Sequence, residues 1–174
     1  MRNNIEDIRD PLNKSIEEIN FILDSKIKEK YYYAIFLAFA IIEFNLKFVI
    51  FMNQTWKFAN KKISQNKFEK IANITGEKIK NMNFADLIKD ALINDLVSVK
   101  LYTMLEKARK ERNELVHSIW FHARRNDFRF LRKKLEMLCN LGSDLVSILN
   151  KTYSKIGIDE IFSPKVVRTF LKGL

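Results

Sequence analysis

The stretch YYYAIFLAFAIIEFNLKFVIFM, residues 31–52, is apolar nearly all the way round a helix. It is too long for a β-strand, and a helix that is hydrophobic on every side is normally buried in a core. Its unbroken apolar run, residues 31–42, is followed by Glu43, Asn45 and Lys47, well before the roughly 20 residues that a membrane span needs. The stretch therefore predicts the central helix of a helical bundle, with no membrane partner.

The sequence before and after this stretch predicts further helices. Asp10-Pro11 is a typical helix start, with Asp10 able to cap the helix and Pro11 at its first position, and apolar residues at helical spacing then continue to Leu23. The other expectations for this half of the chain are a break near 26–30, a connection at Asn53-Gln54-Thr55, and short helices at 67–73 and, capped by Asn83, at 84–92.

In the second half of the chain, Asn94 or Asp95 is expected to open a long helix with one apolar stripe at 3.6-residue periodicity. We expect WFHARRND, residues 120–127, to form a loop. The chain, residues 1–174, is thus predicted to be a single all-α domain of about five main helices plus short ones. The remaining expected features are a helix from Asn126 or Asp127 that contains Gly142 and ends at Gly157, and a short terminal helix from Ser163-Pro164.

Composition limits the classes of function. The net charge is +10, and residues 100–134 carry eleven Lys and Arg against four acids. Such a basic field attracts polyanions, of which nucleic acid is the commonest, although basic proteins can also simply be soluble. One cysteine, Cys139, and two histidines leave no disulfide and no Cys/His zinc set. With no signal peptide at the N-terminus, we expect a cytoplasmic protein with no metal or cofactor, and with Cys139 in the core.

The stretch ERNELVHSIW, residues 111–120, lies inside this basic region. Arg112 follows Ala108 by four positions, so a permanent cation interrupts the apolar stripe and needs an anion, a carboxylate or an interface. Asn113 and His117 share another face, about 100 to 140° away, with Arg109 one turn back. The Arg and the His converge only if the helix ends or distorts near His117, or if two copies of the chain pack through this surface.

These residue types suit the cleavage of RNA. The RNA 2′-hydroxyl is an internal nucleophile, so a protein needs a proton acceptor, a cation for the developing phosphorane charge and a donor for the leaving oxygen. A histidine such as His117 can accept and donate protons, Arg112 can bind phosphate through its planar guanidinium, and the Asn113 amide can orient either group. The structural alternative is that Arg112 and His117 cap helix carbonyls or pair with Glu43 or Glu111.

The segment R-N-E-L-V-H, with Arg112, Asn113 and His117, resembles the signature of the HEPN superfamily (higher eukaryotes and prokaryotes nucleotide-binding domains). That motif has an Arg, usually followed by a polar residue such as Asn, and a His separated from the Arg by four to six intervening residues. Arg112 and His117 are separated by four. The resemblance is specific over residues 111–120, and Ser118 departs from the Gly that many members carry after the His. Toxins that a nucleotidyltransferase antitoxin silences often carry a tyrosine two positions after the His. Here that position is Ile119, so the sequence does not support silencing through a tyrosine.

The resemblance implies a helical bundle that forms a homodimer with one composite cleft. Many members are metal-independent endoribonucleases of toxin-antitoxin or antiphage defence systems, so a cognate antitoxin or defence partner is implied too. In that case His117 moves protons, Arg112 binds the scissile phosphate and Asn113 orients them. Other members are non-catalytic modules that bind RNA, nucleotides or proteins, and a purely structural helical adaptor is a third alternative.

Several further residues are candidates for supporting roles. Glu43 is the only acid in the central apolar stretch and is expected either to hold Arg112 in the cleft or to be a partly exposed acid at a helix turn. Arg109 lies beside the motif. Arg124, Arg125 and Arg129 are candidates to follow an RNA backbone, and a solvated face is the alternative. His122 is expected at the surface. The aromatic residues that could stack on bases, but are expected in core or dimer contacts, are Tyr31, Tyr32, Tyr33, Trp56 and Trp120.

Overall fold

A computed structural model describes residues 2–25, 27–59, 63–125 and 128–156, and these residues form an all-α helical bundle, as predicted. The helices in this part of the chain are α1 (Arg2–Leu23), α2 (Lys28–Ala59), α3 (Gln65–Lys80), α4 (Phe84–Ile93), α5 (Val99–Arg125) and α6 (Phe128–Ile156).

Helix α2 lies at the centre of the bundle. It packs most extensively against α6 and also contacts α1, α3 and α4. Ile35, Ile42 and Leu46 of α2 are fully buried, which confirms the prediction of a core helix. Among the described residues, Lys30–Thr55 is the one stretch long and apolar enough to cross a membrane by length and composition, and half of its apolar window is buried inside the bundle.

The connection predicted at Asn53-Gln54-Thr55 is wrong, because α2 continues through it to Ala59. The polar side chains are satisfied without breaking the helix. The Gln54 amide donates to an Asp90 carboxylate oxygen at 3.3 Å, and the buried Thr55 hydroxyl donates to the Phe51 carbonyl at 2.8 Å. Polar residues thus mark a contact with α4 here, and not the end of a helix.

The start of α5 also differs from the prediction. Asn83 does cap α4, since its Oδ1 accepts the Asp86 backbone N–H at 2.9 Å. Asn94, however, follows α4 as its C-cap, and Asp95 has a positive φ of 54°, so neither residue opens α5. Ser98 lies immediately before α5 and its hydroxyl oxygen accepts the Leu101 N–H at 3.2 Å. Asn favours both helix ends, which explains the misplacement.

Two other predicted boundaries are wrong. Helix α1 begins at Arg2 and runs through Pro11, although an interior proline removes a backbone hydrogen bond and crowds the preceding turn. Helix α5 extends to Arg125, so most of the predicted loop at 120–127 is helical. Helix α3 is longer than the short helix expected at 67–73. Four predicted features lie outside the described residues: the helix start at 126–127, Gly157, Ser163-Pro164 and the terminal helix.

Two buried polar groups of α2 have contrasting environments. The Tyr31 hydroxyl donates to the Leu23 carbonyl at 2.8 Å, which ties α2 to the last turn of α1 across the predicted break. Asn45 is only 1% exposed, and neither its amide nitrogen nor its amide oxygen has a hydrogen-bond partner among the described residues. Burial of an unpaired amide is costly, so Asn45 is a local source of instability in the core.

Candidate functional site

Arg112 lies on the core-facing stripe of α5, as the sequence predicts. Ala108 is fully buried one turn before it, and Leu115 is only 3% exposed on the following turn. The Arg112 side chain remains 38% exposed and reaches α2, where its Nη1 donates to Glu43 Oε2 at 3.4 Å. The pairing of these two residues, which both the catalytic and the structural interpretations allowed, is therefore present.

Glu43 also binds a second cation, Lys47. The Lys47 Nζ lies 3.1 Å from Glu43 Oε1, and it donates to the Lys80 carbonyl at the end of α3 at 3.3 Å. Glu43 and Lys47 are both about a quarter exposed. We call Lys47, Glu43 and Arg112 the Glu43 triad. It joins α2, α3 and α5, and each carboxylate oxygen faces a different cation.

Asn113 and His117 occupy a different, exposed face of α5. Val116 is 51% exposed and follows Arg112 by four positions, so exposed apolar surface lies on the Arg112 side of the helix instead. Helix α5 continues without interruption through His117, and residues five positions apart on an α-helix point about 140° away from each other. Helix α5 therefore does not end at His117, which excludes one of the two ways in which His117 could approach Arg112. The other way is packing of two copies of the chain through this surface.

Arg109 already has a strong partner on its own helix. Its Nη2 lies 2.9 Å from Glu106 Oε2, and its Nε donates to the same carboxylate. This hydrogen bond lowers the pKa of the Glu106 carboxyl and raises the pKa of the Arg109 guanidinium. The Arg109 charge is thus largely compensated locally, which leaves Arg112 as the better-placed guanidinium for an external anion.

Glu111 does not pair with Arg112, which was one of the structural alternatives. It lies instead 3.3 Å from Lys134 Nζ, in a mostly buried ion pair that joins α5 to α6. The same Lys134 ammonium lies 5.0 Å from the centre of the Phe130 ring, in a cation–π contact. The packing of α5 on α6 is therefore stabilised one residue away from Arg112, and this ion pair helps to hold the motif in place.

The other candidate residues are only partly described. Arg129 is exposed on the first turn of α6, and Arg124 and Arg125 lie in the last turn of α5, with side chains outside the described set. Tyr31 is fully buried, as expected for a core residue, and burial raises its pKa. The side chains of His122, Trp56 and Trp120 are outside the described set. Tyr32 packs against the core, whereas Tyr33 is half-exposed.

Sequence reasoning did not single out Lys47 or Lys134 as members of the site. Lys47 carried a usable signal, because it follows Glu43 by four positions, the spacing at which opposite charges pair on a helix. Lys134 carried no local signal, because its partner Glu111 lies on another helix.

Cys139 is buried, as predicted, and burial raises the pKa of its thiol to about 12. Within the described part of the chain, no three His, Cys, Asp or Glu side chains group closely enough to hold a metal ion. Comparisons with family models, with curated proteins and with solved structures find no match to this chain.

Proposed function

We propose that this protein is a metal-independent endoribonuclease that acts as a homodimer, of the kind found in toxin-antitoxin and antiphage defence systems. The observation that carries the proposal is the state of Arg112. This guanidinium is set into the core-facing stripe of α5, is anchored by Glu43 and yet stays over a third exposed, next to exposed Asn113 and His117. A cation in this position is already oriented and can still reach an anion from solvent.

In the proposed reaction, His117 takes the proton from the RNA 2′-hydroxyl as the 2′-oxygen attacks the adjacent phosphorus. Arg112 binds the non-bridging oxygens of the phosphate, where negative charge builds up in the transition state. The bond from phosphorus to the 5′-oxygen breaks, and this oxygen takes a proton from water, giving a cyclic phosphate and a 5′-hydroxyl. Because Arg112 and His117 point apart on one α5, the partner subunit supplies one of the two groups.

The test is incubation of the purified protein with tRNA, mRNA and rRNA in the presence of EDTA. We expect the wild type to cut at least one of these RNAs, and His117→Ala and Arg112→Ala to lose the activity. Lys107→Ala is the matched control, because Lys107 is an exposed cation on α5 outside the motif. Equal cleavage by wild type, His117→Ala and Arg112→Ala would show that this site does not cut RNA.

A non-catalytic HEPN-like binding module is the second candidate function. It is favoured by the divergence of Arg112 and His117 within one chain, since a monomer does not bring the two groups together. The net charge of +10 supports binding of a polyanion in either case. A folded wild type that binds RNA with a steep salt dependence, and never cuts it, would support this function.

A further inference from the structure

The Glu43 triad contains more positive than negative charge. Lys47 and Arg112 are both cations, whereas Glu43 is the single anion, so the three side chains have a net charge of +1. The Lys47 contact with Glu43 is the shorter of the two, at 3.1 Å against 3.4 Å for Arg112. Lys47 is also the less exposed cation, and it is held from a second side by the Lys80 carbonyl.

Arg112 has the longer contact with Glu43 and the more exposed side chain of the two cations. Its hydrogen bond to Glu43 uses Nη1 alone, although a guanidinium has five N–H donors. Among the described residues, no group other than Glu43 accepts a hydrogen bond from Arg112. The triad thus contains one cation that is fixed and one that has free donors and solvent access.

We propose that Lys47 is a positioning residue for phosphate binding by Arg112, and this inference rests on the proposed RNA site. When Arg112 turns from Glu43 towards a phosphodiester, Lys47 stays against the carboxylate and keeps it compensated. Without Lys47, the same movement leaves a three-quarters-buried carboxylate with no cation, which is costly. Lys47 therefore lets Arg112 exchange one anion for another without touching RNA itself.

The experiment uses an RNA oligonucleotide with a 2′-O-methyl group at every position as the probe, because it cannot be cut by attack of the 2′-oxygen. Fluorescence anisotropy gives its Kd for the full-length wild type and variants. Lys47→Met should bind about tenfold more weakly than the wild type, because Arg112 is then the only counter-ion of Glu43. Lys47→Arg, which keeps a cation at this position, should bind like the wild type.

Two controls separate this role from a loss of net charge. Lys110→Met removes one exposed cation from α5 and should weaken binding only slightly. Adding Glu43→Gln to Lys47→Met should restore binding, because Arg112 is then released. Adding Glu77→Gln to Lys47→Met restores the same net charge at an exposed position and should not restore binding. Circular dichroism of every variant verifies that it is folded.

The inference is overturned if Lys47→Met and Lys110→Met weaken binding equally, if Glu77→Gln rescues as well as Glu43→Gln, or if the wild type does not bind the probe. These outcomes are independent of catalysis. A wild type that shows the expected binding pattern but cuts no natural RNA would refute the proposed ribonuclease and leave the role of Lys47 supported. Cleavage of RNA by the wild type, with no difference in binding between the two rescue variants, would support the ribonuclease and refute the role of Lys47.

Discussion

Removal of the Glu43 carboxylate should destabilise the protein more than removal of either of its cations. Glu43→Gln takes away the contacts at 3.1 Å and 3.4 Å together and leaves Lys47 and Arg112 without their shared anion. Arg112→Met removes one contact, and Glu43 keeps Lys47. The methionine side chain also restores an apolar residue to the stripe between Ala108 and Leu115.

The expected size follows from the distances and the exposure. Two unit charges about 4 Å apart attract by roughly 1 kcal/mol in water and roughly 4 kcal/mol at an effective dielectric constant of 20. All three side chains keep a quarter or more of their surface in solvent, so each pair contributes a net of about 0.5–1 kcal/mol. Glu43→Gln should therefore lower the free energy of unfolding by about 1–2 kcal/mol, and Arg112→Met by less than about 1 kcal/mol.

The measurement is urea unfolding followed by far-UV circular dichroism, with the thermal midpoint as a second readout. A loss of 1 kcal/mol corresponds to a fall in Tm of roughly 2–4 °C for a chain of this size. Glu136→Gln is the matched control, since it removes one exposed ion pair with Arg132 on α6. If Glu43→Gln costs no more than Arg112→Met, the two cations do not share the carboxylate and the reasoning fails.

Four further predictions follow from other parts of the bundle. Asn45→Leu keeps the approximate shape of the side chain and removes the unpaired amide, so it should raise the free energy of unfolding in urea titrations by about 1–3 kcal/mol. A loss of stability would show that the Asn45 amide has hydrogen-bond partners. Because burial raises the folded-state pKa of Cys139 to about 12 from its ordinary value of 9.0, stability should fall by about 1.4 kcal/mol per pH unit as the pH rises from about 9 towards 12. Cys139→Ala should flatten this dependence, and an unchanged slope in the variant would contradict the assignment. Val116→Asp, at a half-exposed position one turn after Arg112, should keep the helical circular dichroism spectrum but give a monomer in analytical ultracentrifugation with no RNA cleavage. An active dimer would show that the interface lies elsewhere. Tyr31→Phe should cost about 1–2 kcal/mol and speed hydrogen exchange in the last turn of α1, whereas unchanged exchange would show that the bond to Leu23 does not hold that turn.

The helical class was predictable because it depends on patterns within single segments. The length of the apolar stretch 31–52 and the helical periodicity of the stripe from Leu101 to Ile119 indicate helices without knowledge of any contact. The ends of helices were harder to predict. Gln54 and Thr55 are polar, as in a connection, but Gln54 forms a hydrogen bond with α4 and Thr55 forms one with the backbone of α2. The continuation of α1 through Pro11 could not be predicted, because proline is favoured at the first position of a helix and strongly disfavoured in its interior.

For the candidate site, the sequence indicated which residues need partners but not which partners they find. Arg112 in an apolar stripe demands an anion, and Glu43 was one of two acids proposed. The choice between Glu43 and Glu111 depends on how α5 lies against α2 and α6, which no local pattern specifies. The separation of Arg112 from His117 was predictable from the 3.6-residue repeat alone, and the unbroken α5 keeps these two residues on different sides of the helix.

The pairing of α2 with α6 has a consequence for synthesis on the ribosome. Residues 60–127 separate the two helices, so α2 leaves the ribosome long before the helix that packs most extensively against it. During this interval α1, α3 and α4 are its main available cover, and the nascent chain exposes a strongly hydrophobic helix to chaperones and proteases. Chains that stop before α6 are therefore expected to be insoluble or degraded, and formation of the complete core must wait for the last described helix.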